Sequence, residues 1–463
     1  MEENKINLRY DSGTIACNWL PAEFLESFVK VKRDERSKQW RLLAIDYRSF
    51  IEELTSKSLV YDDQARAYQK TEFSLKTKLV LREHQEKALE AWKKASYRGC
   101  VSLPTGGGKT ILAIAAISLL RRSTLVIVPT LDLMAQWQKT LTNFLGVTPT
   151  LLGGGEHEIS DLTVATYQSA QMHAEKLGNR FGLIIFDECH HLPSEQYQRI
   201  AVTSLAPFRL GLSATIERAD GLEEKIFELV GPLVWQTQIS EMIGLGLAPF
   251  ETITLEIELT ALEKESYASY RKIYLDFLYT QGISFKAPNF WQQFVLKASR
   301  SARGLEALRA FRLQKKIALS ASGKILKVWE LLQIHACERV IVFTEDNELA
   351  YHIGRELFLP VISHKTKAKE RKLLLDHFRS GKLRVLVNSK VLNEGVDVPE
   401  ASVAIVVSGN STVREHVQRL GRILRESKGK RAVLYELIAK KTGEYFVNER
   451  RRQHHAYQES PSV

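Results

Sequence analysis

From about residue 79 the chain alternates short, almost wholly apolar runs with longer stretches whose apolar positions recur at helical spacing. The runs are VSL at 101–103, TLVIV at 124–128, LTVAT at 162–166, LIIFD at 183–187 and RLGLS at 209–213. A run that is apolar at every position predicts a strand covered on both faces, and helix-length segments between such runs predict βαβ units around a parallel sheet. The rhythm restarts with RVIVF at 339–343, RVLVN at 384–388, SVAIVV at 402–407 and AVLYEL at 432–437. Two α/β domains in tandem are predicted. Between them, roughly 255–322 is rich in Ala, Leu, Lys, Glu and aromatic residues and carries a strand-like pattern only in TITLEIEL at its start, which predicts an inserted helical element. Residues 1–75 have mixed patterning, as in WRLLAIDYRSFIEEL, and predict a small separate unit without indicating its fold. The expected division is 1–75, 76–250, 251–322, 323–450 and a frayed tail at 451–463.

Composition narrows the class. With 44% hydrophobic and 26% charged residues in 463, neither disorder nor a membrane bundle is expected. The longest apolar stretch, Ile111 to Leu120, falls far short of the roughly 20 residues that span a bilayer. The opening MEENKINLRYD has no apolar signal core, so a cytoplasmic, nucleoid-associated location is expected. Cys17, Cys100, Cys189 and Cys337 lie far apart, which argues against a disulfide framework or a cysteine-built zinc site. The net charge of +11 points to a polyanionic partner. Its distribution is informative: residues 1–75 hold 12 basic and 13 acidic groups, 297–327 hold nine and one, and 411–455 hold 12 and five.

The strongest chemical signal is Leu103-Pro-Thr105-Gly106-Gly107-Gly108-Lys109-Thr110, which follows a strand and opens an apolar helix. Glycines let backbone N–H groups curl around a phosphate, and the helix N-terminus adds partial positive charge. Lys109 would reach the β- and γ-phosphates of ATP, and the Thr110 hydroxyl would bind Mg²⁺. Leu103 stands where the strict phosphate-loop pattern has a glycine. Asp187-Glu188-Cys189-His190 follows the strand LIIF, so its carboxylates emerge where α/β sheets bind ligands. Asp187 is placed to hold Mg²⁺ and Glu188 to orient and deprotonate a water.

In this order, PTGGGKT, DECH, Ser213-Ala214-Thr215 and Gln418-Arg419-Leu-Gly-Arg422-Ile-Leu-Arg425 resemble the motifs of superfamily 2 helicases. Over about residues 79–440 the chain more narrowly resembles the XPB family, especially its compact archaeal and bacterial forms. The resemblance implies two tandem RecA-like parallel-sheet domains with ATP in the cleft between them, a helical thumb-like insertion and a small N-terminal domain associated with distorted DNA. It implies that Arg82 and Gln85 read adenine, and that Pro129, Thr130, Thr166 and Gln168 lie in segments touching the nucleic-acid backbone. Ser213 and Thr215 would couple hydrolysis to DNA, and Gly395 and Asp397 lie in the second domain's nucleotide motif. The implied activity is ATP-dependent 3′→5′ translocation or unwinding of single-stranded, forked or damaged duplex DNA in repair, with a companion endonuclease.

Arg419, Arg422 and Arg425 recur at i, i+3 and i+6. A charged stripe at this spacing is ordinarily a solvated face. In a second domain it instead supplies arginines to the γ-phosphoryl transition state, Arg422 and Arg425 first and Gln418 beside them, whereas Arg419 fits a structural role equally well. Lys297, Arg300, Arg303, Arg309, Arg312, Lys315 and Lys316 form a basic stretch that Gly304 is expected to interrupt. It reads as a DNA grip or a solvated face, and Phe285, Phe290, Trp291, Phe294 and Phe311 as stacking platforms or the core of the insertion. The XPB family carries Arg-Glu-Asp where this chain has Arg218-Ala219-Asp220, a change that reads equally as weakening strand separation while sparing hydrolysis or as a neutral surface substitution. Two rivals share these motifs: a duplex translocase that remodels protein–DNA complexes without separating strands, and an ATP-gated damage-binding module. Backbone-gripping motifs alone leave DNA and RNA undistinguished.

Overall fold

The computed structural model describes residues 5–216, 221–237, 250–285, 287, 289–389, 401–408 and 432–444. These divide into two compact units, the first ending by Thr237 and the second beginning at Phe250.

In the first unit, β1 (Ile6–Asp11), β2 (Thr14–Cys17), β3 (Lys32–Asp34), β4 (Gln39–Leu43) and β5 (Tyr61–Asp63) form a sheet in the order β3-β4-β2-β1-β5. Helices α1 (Ala22–Ser27) and α2 (Tyr47–Ser56) contribute Phe24 and Phe50 to its core. Only the β1–β5 pair is parallel. The strands are short and half exposed, which is why their pattern along the chain was uninformative.

The larger sheet of this unit contains β6 (Arg98–Ser102), β7 (Thr124–Val128), β8 (Thr150–Gly153), β9 (Glu156–His157), β10 (Leu162–Thr166), β11 (Leu183–Asp187), β12 (Phe208–Ser213) and β13 (Leu233–Gln236). Their order is β13-β6-β12-β11-β7-β10-β8-β9, parallel throughout except for the β8–β9 pair. Helices α3 (Glu83–Lys94), α4 (Lys109–Leu120), α5 (Leu131–Leu145), α6 (Tyr167–Met172), α7 (Ala174–Leu177), α8 (Glu195–Val202) and α9 (Glu223–Leu229) accompany it. Strands β7, β10 and β11 are buried at every position, as two covered faces require. The small sheet is fastened near the N-terminal ends of these strands. Arg48 donates to the carbonyls of Ser96 (2.6 Å) and Pro207 (3.2 Å), Tyr10 donates to the Thr203 carbonyl (3.0 Å), and Leu205 is buried in the small domain's core.

The second unit has β14 (Phe250–Ile257), β15 (Val340–Thr344), β16 (Val361–Ile362), β17 (Val385–Ser389), β18 (Val403–Val406) and β19 (Ala432–Ala439), all parallel, in the order β14-β19-β18-β15-β17-β16. TITLEIEL therefore does not belong with the helical segment it precedes. It forms most of strand β14, whose partner β19 lies far along the chain, so no local signal could reveal the pairing. The helices that follow are α10 (Ala261–Thr280), α11 (Phe290–Ala298) and α12 (Ala302–Leu319); α13 (Ser322–Ile334), α14 (Asn347–Glu356) and α15 (Ala368–Arg379) complete the unit. Glu263 clasps the two ends of the insertion, accepting the backbone N–H groups of Thr260 and Ser322, each at 2.9 Å. Lys324, fully buried on α13, donates to the Val407 carbonyl (2.9 Å) and to Glu444 (2.8 Å), an ion pair that holds the end of β18 in place. Burial pulls this lysine's pKa below its usual value, with Glu444 pulling the other way.

Gly304 does not interrupt its helix. It sits in the first turn of α12, where its N–H donates to Ser301 Oγ (3.0 Å), and a Cβ there would lie 2.2 Å from the Ala298 carbonyl oxygen. Its role is close approach of α12 to the end of α11.

Candidate active site

In a parallel sheet all strands point one way, so their C-terminal ends form a single row. Reading along β6, β12, β11, β7 and β10, that row delivers the glycine loop before Lys109, then Ser213, Asp187, Pro129-Thr130 and Thr166. Groups scattered over more than 100 residues of chain thus become neighbours, with the phosphate-loop residues at one side and the expected nucleic-acid segments at the other.

The loop itself is pinned from α3. Gly106 and Gly108 have φ of +87° and +79°, where a side chain is strained. Gln85 Nε2 donates to the carbonyls of Gly107 (3.1 Å) and Gly108 (3.3 Å), His84 Nε2 lies 3.0 Å from the Gly107 carbonyl, and Gln85 Oε1 accepts the N–H of Arg82 (2.9 Å). Gln85 therefore braces the loop's backbone, while Arg82 is exposed at the start of α3. Thr105 and Thr110 are half-buried at the two ends of the loop.

Lys109 Nζ donates to the Leu103 carbonyl (3.3 Å) and lies 3.6 Å from Glu188 Oε1. Asp187, only 6% exposed, accepts from Trp137 Nε1 at 2.8 Å and from the Glu188 N–H at 3.1 Å. Burial and the neighbouring Glu188 charge push its carboxyl up to about 6, with Lys109 and the Trp137 hydrogen bond opposing them. A buried and a half-buried carboxylate thus share one lysine, and a divalent cation would supply the charge such a pair lacks. The donor set fits Mg²⁺, for which Asp187 and the Thr110 hydroxyl would be the protein ligands. Glu188 adopts φ of +50°, and its Oε2 lies 3.4 Å from His190 Nδ1 and 3.5 Å from Ser213 Oγ. Ser213 Oγ also donates to the Thr215 carbonyl (2.6 Å), so the end of β12 and Glu188 are linked through one hydroxyl. Thr215 Oγ1 is enclosed and has no hydrogen-bond partner among the described residues.

In the segments expected to touch nucleic acid, Thr130 and Thr166 cap α5 and α6, accepting the N–H groups of Leu133 (3.3 Å) and Ser169 (3.2 Å). Gln168 is exposed on the first turn of α6. Sequence reasoning missed Gly153-Gly154-Gly155, three successive positive-φ glycines at the end of β8. A Cβ on Gly153 would meet Thr166 at 3.1 Å, and one on Gly154 would meet Leu131 at 2.9 Å, so this turn belongs to the same edge. The run of three glycines was the available signal.

The basic stretch separates into two groups. Lys315 pairs with Glu345 (3.3 Å) and Lys316 with Glu348 (2.8 Å), contacts within the second unit's own surface. Arg300, Arg303, Arg309 and Arg312 are exposed, and none forms an ion pair among the described residues. Of the aromatics, Phe294 is fully buried with Phe311 and Phe290 packed around it, while Phe285 and Trp291 are 60% and 48% exposed. Arg218, Ala219, Asp220, Gly395, Asp397, Gln418, Arg419, Arg422 and Arg425 lie outside the described residues.

Residues 8–65 match the xeroderma pigmentosum group B helicase damage recognition domain, 78–218 the type III restriction enzyme res subunit, and 309–459 the ERCC3/RAD25/XPB C-terminal helicase. The chain is 40% identical over 424 residues to the DNA 3′-5′ translocase XPB2 of Sulfurisphaera tokodaii, covering 91% of this chain and 96% of that one. It is 32% identical over 375 residues to the DNA 3′-5′ helicase XPB of Mycobacterium tuberculosis, covering 78% of this chain and 61% of that longer protein. Among solved structures, the Hef helicase domain of Pyrococcus furiosus aligns with a TM-score of 0.50 at 20% identity, covering 80% of this chain and 98% of that chain. Dbp5 of S. cerevisiae, solved with RNA and ADP BeF3, aligns at 0.54 and 16%, covering 81% and 88%. These likenesses establish the fold as tandem RecA-like α/β domains.

Proposed function

The chain belongs to the XPB family of superfamily 2 helicases, and from that membership we propose an ATP-driven DNA translocase that moves 3′→5′ and acts in repair. The observation that carries this reading is the single row of strand ends on which Lys109, Ser213, Asp187 and Glu188 adjoin the Thr130 and Thr166 segments.

The backbone N–H groups of the glycine loop receive the phosphates, and Lys109 exchanges its place beside Glu188 for the phosphate charge. Asp187 and the Thr110 hydroxyl would hold Mg²⁺, which when bound would supply positive charge against the phosphates. Glu188, held by His190 and Ser213, accepts the proton of the attacking water. Because Ser213 also bonds the Thr215 backbone, a change at the 213–215 segment alters the environment of the base, which is how hydrolysis would be coupled to DNA. Arg82 and Gln85 are assigned to the adenine, Gly395 and Asp397 to the second domain's nucleotide motif, and Gln418, Arg422 and Arg425 to completing the ATPase machinery. Pro129, Thr130, Thr166, Gln168, Arg300 and Arg303 are assigned to the nucleic-acid backbone.

The substrate is single-stranded, forked or damaged duplex DNA, with the N-terminal domain engaging the distortion. The assignment includes a companion endonuclease and a cytoplasmic, nucleoid-associated setting. No described helix is long and apolar enough to cross a membrane. A second reading, translocation on duplex without strand separation, is favoured by Ala219 in Arg218-Ala219-Asp220, where the family's carboxylate is missing. Forked-substrate unwinding beside triplex displacement tests the pair, with Ala219→Glu as the third arm. Triplex displacement without fork unwinding supports the second reading, and fork unwinding by the wild type refutes it. Unwinding that rises in Ala219→Glu at constant hydrolysis ties weak strand separation to the missing carboxylate, and equal unwinding by both proteins refutes that account of Ala219.

A further inference from the structure

Resting on that reading of a DNA-stimulated ATPase, we propose that Trp137 and Tyr167 are positioning residues that transmit the state of the nucleic-acid segments to Asp187. Each expected backbone-touching segment sends one buried aromatic residue to the same aspartate. Trp137 lies seven residues after Thr130, about 10 Å along α5 at 1.5 Å per residue. Its indole Nε1 donates to Asp187 Oδ2 at 2.8 Å. Tyr167 is the first residue of α6, directly after Thr166, and its hydroxyl donates to the Asp187 carbonyl at 3.1 Å. Both side chains are 2% exposed.

These are the only side-chain hydrogen bonds to Asp187 among the described residues, and its Oδ1 is taken by the following backbone N–H. One helix therefore sets the carboxylate and another sets the backbone that carries it. A buried indole N–H needs an acceptor, and any carbonyl would satisfy it. Here the acceptor is the carboxylate assigned to the metal, and it comes from the helix whose cap is assigned to DNA. A packed interior transmits displacement because it has no free volume to absorb it. A small movement of α5 or α6 at its capped end is carried to Asp187, where hydrogen-bond strength depends steeply on geometry. The link is separate from the Ser213 connection to Glu188, because it starts from β7 and β10 and ends on the metal's aspartate rather than the base.

The test uses the full chain and the variants Trp137→Phe and Tyr167→Phe, which delete the N–H and the O–H and keep an aromatic ring. Turnover is measured without DNA and with saturating single-stranded oligonucleotide, and DNA affinity is measured without nucleotide. The expected result for the double variant is a loss of about tenfold in the ratio of stimulated to basal turnover, or about 1.4 kcal/mol of coupling. Nucleotide-free DNA affinity stays within about twofold for Trp137→Phe, well under the tenfold that 1.4 kcal/mol represents. A second readout needs no variant to be active. In the wild-type protein without nucleotide, the indole Nε1–H resonance of Trp137, assigned by its loss in Trp137→Phe, moves when oligonucleotide is added. A merely structural role would lower the melting temperature and leave both the ratio and the resonance unmoved. Full stimulation in both variants, or a Trp137 resonance indifferent to DNA, overturns the inference alone. Absence of DNA stimulation in the wild type overturns the proposed function and the inference together.

Discussion

Replacing Gly108 by alanine perturbs the phosphate loop at its tightest point. Gly108 holds φ of +79°, and an added Cβ would lie 2.0 Å from Gln85 Nε2. The amide end of Gln85 can swing away, but only by giving up its bonds to the Gly107 and Gly108 carbonyls. The left-handed backbone costs a non-glycine residue roughly 1–2 kcal/mol. Each lost neutral hydrogen bond costs about 0.5–1.5 kcal/mol. The sum is about 3 kcal/mol, or roughly a hundredfold in affinity if the loop must regain its shape to hold phosphate. Calorimetric titration with a non-hydrolysable ATP analogue measures it, with the melting temperature as a check on folding. The decisive comparison is the double variant with Gln85→Ala. Since Gly108→Ala has already broken Gln85's bonds to the loop, adding Gln85→Ala removes only the bond to the Arg82 N–H at the start of α3, and the double variant binds nearly like Gly108→Ala. Affinities that multiply as though the sites were independent, or a Gly108→Ala protein that binds like wild type, would refute the reasoning.

Lys109→Ala is expected to abolish nearly all ATP hydrolysis with little change in melting temperature, because the lysine's bonds are to Leu103 and Glu188 and not to the core; substantial residual DNA-stimulated turnover would remove the phosphate-loop assignment. Burial and the Glu188 charge raise the Asp187 pKa from the ordinary 3.8 to about 6. In the metal-free protein this group favours folding most below the lower value, and that contribution is lost as pH rises through about 6. Mg²⁺ binds the ionised form, so its stabilisation of the fold against heat should be large at pH 8 and shrink below about 6; a pH-independent Mg²⁺ effect contradicts this. Neutralising Arg300, Arg303, Arg309 and Arg312 together should flatten the salt dependence of DNA binding by about 0.7–0.9 per lost phosphate contact in the log–log slope. The same change at Lys315 and Lys316, already paired with Glu345 and Glu348, should leave the slope nearly unchanged.

How far the sequence could be read depended on burial and on distance along the chain. TLVIV, LTVAT and LIIFD became strands with those bounds because a strand covered on both faces is apolar throughout. Strands at or next to the sheet's edges, such as β13 and β8, are partly exposed, so their composition does not set them apart from loops. Strand β14 was visible as a pattern, but its sheet was not, since pairing with β19 spans the whole insertion. Within the site, the glycine loop and the Asp187-Glu188 pair were legible because their chemistry is local to a few residues. The roles of Gln85 as a brace and of Trp137 as an Asp187 donor were not, because each depends on a contact between separate strands and helices. The partners of Lys315 and Lys316 were hidden for the same reason: charge along a helix does not show which side chains find carboxylates on another element.

The central claim, that ATP hydrolysis drives movement along DNA, is tested most directly by steady-state ATPase turnover against single-stranded DNA length, with duplex DNA and RNA of matched lengths alongside and Lys109→Ala as the blank. The account predicts turnover stimulated by DNA and rising with length toward a plateau, because a longer track allows more steps before release. Turnover indifferent to DNA, or stimulated equally at every length that binds, would contradict translocation, the latter marking a switch that resets affinity without stepping.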